Sequence, residues 1–116
     1  MSDTFCVDDQ MVCFAASAVV DDTVDAKKAA SDIVAGASFD NNLPCIAEKE
    51  CFAFDSICDA LIDGMQKSGA YLISGQKIDE LVKVALINKD GKYSINKKWV
   101  GKDASLFLKE IGIEAD

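Results

Sequence analysis

Apolar positions near the start of the chain recur with a helical period. Between residues 7 and 20 the apolar side chains follow i, i+4, i+7 and i+8 spacing, which predicts an amphipathic helix. An Ala-rich segment over residues 24–35 predicts a second helix, with a break at residues 21–23 before it and Gly36 as its stop.

A third helix is predicted over residues 44–67. Pro44 suits a first helical turn, and the apolar side chains that follow make one stripe at helical spacing: Ala47, Cys51, Phe54, Cys58, Leu61, Ile62 and Met65. If the run breaks near Phe54, Asp55 begins a separate helix.

The period changes in the last third of the chain. Residues 76–86 predict a helix, and Asp90-Gly91 between two short alternating segments predicts a β-hairpin over residues 87–95. Asp103 can cap a last helix over residues 104–111. The fold class expected is mainly α, with about five helices and one C-terminal β-hairpin; a compact α+β fold is the alternative.

Length and composition predict one domain over residues 1–116. It comprises an acidic helical part, residues 1–68, and a helix-hairpin-helix part, residues 69–116. The longest nearly apolar stretch, residues 11–20, is too short to cross a bilayer. We therefore expect a cytoplasmic protein without a membrane partner.

Charge is segregated along the chain. The first 66 residues carry 13 acidic side chains and three lysines, whereas the rest carry nine lysines and seven acidic side chains, and the net charge is −8. Asp55, Asp59 and Asp63 form a row at i, i+4 and i+8 on the predicted third helix. Such a row can face a basic partner, or it can be a solvated helix face.

The residue types present disfavour catalysis. The chain has no histidine and no arginine, and a nucleophilic cysteine or serine is normally activated by a neighbouring base, most often histidine. Cys45, beside Pro44 at a predicted helix start, is the best-placed thiol. Asp40, Glu48 and Glu50 surround it in sequence and are expected to raise its pKa.

The other thiols are interpreted as core residues. Cys6 and Cys13, like Cys51 and Cys58, are seven positions apart, which on a straight helix is about 10.5 Å of rise. That separation prevents each pair from sharing a zinc ion or forming a disulfide. A site that takes one thiol from each of two helices remains geometrically open, but the chain has no histidine to complete it. The sequence thus predicts no enzyme, no catalytic residue, no metal and no cofactor.

The function predicted is a non-enzymatic, small acidic protein-interaction module, such as an inhibitor or an accessory protein of phage type. It would dock on a basic protein surface, with salt-sensitive affinity. The candidate partner-binding residues are Asp21, Asp22, Asp25, Asp55, Asp59, Asp63 and, as an apolar anchor, Phe52.

Two alternatives remain open. A self-assembling structural subunit, a homo-oligomer, would join its acidic face to its lysine-bearing face. A nucleic-acid contact would use a basic patch with interleaved aromatics: Lys89, Lys92, Tyr93, Lys97, Lys98 and Trp99. The absence of arginine and the net charge make a nucleic-acid partner the weaker expectation.

Overall fold

The computed structural model describes residues 16–114. The elements in chain order are β1 (Ala16–Val20), α1 (Ala26–Ser38), β2 (Glu48–Ala53), α2 (Asp55–Lys67), α3 (Gln76–Ala85), β3 (Leu86–Lys89), β4 (Lys92–Ile95) and α4 (Ala104–Glu110). Two short 3-10 turns occupy Phe39–Asn42 and Lys97–Trp99.

Strands β1 and β2 form a parallel pair, with Ala18 opposite Cys51 and Val20 opposite Ala53. Parallel strands require a crossover connection, and α1 supplies it. The predicted helix over residues 7–20 is therefore wrong for residues 16–20, and residues 7–15 lie outside the described part. A short apolar run has no periodicity that separates a buried strand from a helix.

The predicted third helix is also wrong in its first part. Residues 48–53 form β2, and the helix begins only at Asp55, which is the break that the sequence left open. Strand pairing with β1 decides this segment, because it satisfies the backbone hydrogen-bonding groups along one edge of Glu48–Ala53.

The fold class is α/β, so the prediction of a mainly α fold is wrong, and so is its compact α+β alternative. Within residues 16–114 there are four α-helices, and strand, helix and strand alternate around a parallel pair. Other local predictions are confirmed: α1, α3 and α4 are helices, and β3 pairs with β4 as a hairpin. The predicted stop at Gly36 is wrong, because α1 continues to Ser38. Asp90 and Gly91 both take positive φ at its turn.

The main core lies between one face of the parallel pair and helices α1 and α2. Its buried members are Val20, Ala30, Ile33 and Leu61. Gly64 of α2 lets the two helices approach closely, because a Cβ atom at this position would lie 2.8 Å from the Ala30 Cβ.

The second half of the described chain packs around α3 and α4. The rings of Trp99 and Phe107 have centroids 4.8 Å apart. The Lys77 ammonium donates to the Ile111 carbonyl at 2.6 Å, and the Asn96 amide donates to the Val84 carbonyl at 3.0 Å. These contacts tie α3 to the end of α4 and to the hairpin. The division into one domain with two parts stays a prediction.

Replacing Gly64 by alanine should lower the free energy of unfolding by about 1–3 kcal/mol, because the new methyl group overpacks the contact with Ala30. Helix propensity alone would change the free energy of unfolding in the opposite direction, by about 1 kcal/mol in favour of alanine. Urea unfolding measures the change. Asp59→Ala, at an exposed position of the same helix, is the control and should stay within about 0.5 kcal/mol of the parent. A more stable Gly64→Ala chain would contradict the close helix contact.

Candidate active site

The predicted acidic residues fall mostly at one edge of the parallel pair. Asp21 and Asp22 follow β1, and Asp55 follows β2. Because the strands are parallel, their carboxyl ends meet at the same edge, where the Phe54 N–H donates to the Val20 carbonyl at 3.1 Å. The structure therefore brings these three acidic residues into one region.

Two of the acidic side chains at this edge hold the local backbone. Asp25 is the N-cap of α1, and its carboxylate accepts from the Lys27 N–H at 2.9 Å and the Lys28 N–H at 3.2 Å. The hydroxyl and the backbone N–H of Thr23 both donate to Asp21, which lowers the pKa of that carboxyl group. Both carboxylates thus stabilise the local backbone.

The remaining acidic residues and Phe52 are exposed. Asp59 and Asp63 lie on α2, where Asp63 pairs with Lys67 at 2.6 Å. Phe52 of β2 is 56% exposed and stands opposite Val19, which is 76% exposed. Binding of a partner through any of these residues stays a prediction.

The lysine-bearing residues split into two groups. Lys89, Lys92 and Tyr93 are exposed on the hairpin, where Lys89 stands directly opposite Lys92. Lys97, Lys98 and Trp99 form the following 3-10 turn, and the Lys98 ammonium lies 5.5 Å from the Trp99 ring centroid. Trp99 packs on α4 through Phe107, so this indole is not an open platform for a base.

A tightly braced loop connects α1 to β2 at the opposite edge of the parallel pair. Asp40, Asn41 and Asn42 have φ values of 47°, 52° and 60°. Asn and Asp tolerate this left-handed region better than other side-chain-bearing residues. The Asn42 amide donates to the Ala37 carbonyl at 2.6 Å and to the Glu48 carbonyl at 3.0 Å, which joins the end of α1 to the start of β2.

Lys49 closes the same loop from the strand side. Its ammonium donates to the carbonyls of Asn42 at 3.1 Å, Pro44 at 3.0 Å and Ala47 at 3.2 Å. Ala47 is buried, whereas Cys45 is exposed on the turn between these carbonyls. Cys45 thus lies in a turn, not at a helix start.

The acidic neighbours of Cys45 in sequence are engaged elsewhere. The Glu50 carboxylate accepts from the Ser17 hydroxyl at 3.2 Å. The Glu48 carboxylate lies against Gly36 of α1. Strand geometry therefore places two of the three carboxylates against Ser17 and Gly36.

The other described thiols are less suited to nucleophilic chemistry. Cys51 lies within β2 and is exposed, so its interpretation as a core residue is wrong. Partial desolvation, with a further contribution from Cys58, raises the pKa of its thiol. Cys58 is half-buried on α2. Only the thiolate form of a cysteine is a good nucleophile, so an accessible thiol in a loop is the better candidate.

A cleft adjoins the Cys45 loop. Asn41 is one of its lining residues, and the Asn41 amide donates to the Gly101 carbonyl at 3.1 Å and to the Asp103 carboxylate at 2.9 Å. The cavity measures about 400 Å³, and its lining is mostly apolar, including Tyr71, Leu81 and Phe107. A cleft of this size and lining is typical of sites for small organic groups.

Among residues 16–114 no cluster of three His, Cys, Asp or Glu side chains is arranged to hold a metal ion. No helix in that range has the length and apolar character needed to cross a membrane.

Comparison with known proteins connects this arrangement to an enzyme class. The propanal dehydrogenase (CoA-propanoylating) of Salmonella typhimurium is 47% identical over 95 residues, which are 82% of this chain and 20% of that protein. The acetaldehyde dehydrogenase (acetylating) of Bilophila wadsworthia is 46% identical over 101 residues, 83% of this chain and 21% of that protein. No family model matches the sequence.

A solved structure agrees in fold. Propionaldehyde dehydrogenase of Rhodopseudomonas palustris, with bound CoA and an acylated cysteine, is 44% identical, with a TM-score of 0.78 over 87% of this chain and 23% of that one. The chain resembles a segment of acylating aldehyde dehydrogenases. It spans about a fifth of the length of the curated relatives that it matches.

These relatives overturn the predicted function. The prediction of a non-enzymatic interaction module, with its inhibitor and phage-type variants, is wrong, because proteins at 40–47% identity are named as CoA-acylating enzymes. The same finding removes the structural-subunit and nucleic-acid alternatives as the function of this chain.

Sequence reasoning ranked Cys45 as the best-placed thiol but discounted it, because the chain has no histidine and acidic residues are its neighbours in sequence. The available signal was the run Asp40-Asn41-Asn42, which tolerates left-handed backbone, followed by Pro44-Cys45. Backbone strain of this kind concentrates at functional sites.

Asp25→Ala should lower the free energy of unfolding by about 1 kcal/mol, because α1 loses its N-cap hydrogen bonds. Asp22→Ala is the matched control at an exposed neighbouring position and should be neutral within about 0.5 kcal/mol. Thermal and urea unfolding measure both changes. Equal effects of the two substitutions would show that Asp25 does not stabilise the helix as a cap.

Proposed function

We propose that this chain supplies the thiol-bearing segment of a CoA-acylating aldehyde dehydrogenase, with Cys45 as the cysteine that carries the acyl group. The observation that carries the proposal is the exposed Cys45 thiol on a braced loop, in a chain similar to a protein solved with an acylated cysteine. Of the three described cysteines, Cys45 alone lies in a loop beside the cleft.

The chemistry assigned to Cys45 is exchange of an acyl group between thiols. The Cys45 thiolate attacks the thioester carbonyl of an acyl-CoA, a new S–C bond forms, and the CoA sulfur leaves and takes up a proton. The reverse direction returns the acyl group to CoA. One thioester replaces another, so this exchange needs no oxidant.

The oxidation named for the relatives needs more than a thiol. Converting an aldehyde into a thioester also requires a hydride acceptor, and no residue of this chain is assigned to that step. The acyl group proposed is propanoyl or acetyl, because the relatives are named for propanal and acetaldehyde.

The exposed face of the parallel pair supports a place within a larger protein. Parallel sheets are normally covered on both faces, yet Val19 and Phe52 stand exposed side by side. We propose that further polypeptide covers them, in line with the greater length of the relatives. The basic partner surface, the homo-oligomer and the cytoplasmic location stay predictions.

Incubation with propanoyl-CoA should add one propanoyl group to Cys45, measured by intact mass and peptide mapping. Cys45→Ser should abolish the adduct that hydroxylamine cleaves, since hydroxylamine cleaves thioesters far faster than amides and esters. Cys58→Ser is the matched control and should keep the adduct. A parent protein without a hydroxylamine-sensitive adduct, or one that carries it on another cysteine, would overturn the assignment.

A further inference from the structure

We propose that Lys49 is the positioning residue of the Cys45 loop, an inference that rests on the proposed role of Cys45. The Lys49 ammonium lies 3.0–3.2 Å from three carbonyl oxygens, those of Asn42, Pro44 and Ala47. These carbonyls bracket Cys45 on both sides along the chain. One ammonium group therefore binds the backbone on both sides of the residue that carries the thiol.

The donor count of the ammonium matches this arrangement. A lysine ammonium has three N–H donors and no acceptor, so three carbonyl partners use all of them. Hydrogen bonds from a charged donor are roughly twice as strong as neutral ones. The Ala47 N–H also donates to the Pro44 carbonyl at 3.1 Å, which closes the turn from within.

The strand register independently singles out Lys49. Ala16 is opposite Glu48, but the next residue, Ser17, is opposite Glu50, so Lys49 is the extra residue at an irregularity of β2. Bulges of this kind re-aim a side chain and occur next to active sites. At this irregularity the Lys49 side chain extends back to the loop that precedes β2.

The loop needs such support from outside its own backbone. Three successive residues, Asp40 to Asn42, hold left-handed φ values, a backbone conformation that persists only where the surrounding structure supports it. Asn41 secures the loop to Gly101 and Asp103 on one side. Lys49 secures the Cys45 turn on the other side, to a strand that is held by β1.

The consequence concerns geometry at the thiol. Nucleophilic attack requires the reacting atoms to be held in line, and a displacement of about 1 Å can reduce the rate about 100-fold. In this scheme Lys49 does not touch the acyl group; it acts through the backbone on both sides of Cys45. Its removal should therefore reduce the transfer rate more than the binding of acyl-CoA.

The test compares Lys49→Met, which keeps an unbranched side chain up to the ε position but removes the donors, with Lys49→Arg, which keeps the charge and N–H donors. Lys67→Met is the control, because Lys67 forms only an exposed ion pair on α2. Two quantities are measured in the purified protein. The first is kcat and KM for exchange of the propanoyl group between propanoyl-CoA and isotopically labelled CoA, which takes the group back off Cys45. The second is amide hydrogen exchange by peptide.

Lys49→Met should lower kcat at least about tenfold while KM stays within about twofold, and Lys49→Arg should recover much of the rate. Exchange in the peptide covering residues 42–47 should accelerate, with the α2 peptide unchanged. A folded Lys49→Met protein with the parent kcat would overturn the proposal. So would general unfolding that Lys49→Arg does not relieve. A parent protein that is not acylated would overturn the role of Cys45 instead. In that case, unchanged amide exchange at residues 42–47 in Lys49→Met would separately refute the support of the loop by Lys49.

Discussion

The parallel pairing of β1 with β2 is the constraint on which the rest of the described structure depends. Two strands that run in the same direction cannot be joined by a tight turn, so the chain returns through α1. This return places the segment after each strand at one edge and the connection into β2 at the other. The acidic residues and the Cys45 loop are separated for this reason.

The Cys45 loop shows how a chain without histidine can still organise a thiol. Side chains, not regular backbone pairing, satisfy its carbonyl groups: Asn42 links α1 to β2, and Lys49 gathers the carbonyls on either side of the turn. Asn41 fastens the loop to the second half of the chain. Order here comes from amide and ammonium donors whose positions are set by a helix end and a strand.

Three of the acidic residues in the negatively charged first half of the chain have local contacts. Asp25 caps α1, Asp21 holds the loop after β1, and Asp63 pairs with Lys67. Negative charge near a helix N-terminus is stabilising in its own right. Similarity to enzymes of which the matched segment is about a fifth fits the exposed pair Val19 and Phe52, since a parallel sheet is normally covered on both faces.

The sequence by itself determined α1, α3, α4 and the hairpin, because caps, glycines and the Asp90-Gly91 turn act within a few residues. It also singled out Cys45 as the best-placed thiol, but it did not show the loop contacts that support a role for this residue. Only the tertiary structure decided β1 and β2. Their hydrogen-bonding partners lie about thirty positions apart, and short apolar runs such as Ala16–Val20 look alike in a strand and a helix. The Lys49 brace depends on that pairing, so no local pattern could reveal it.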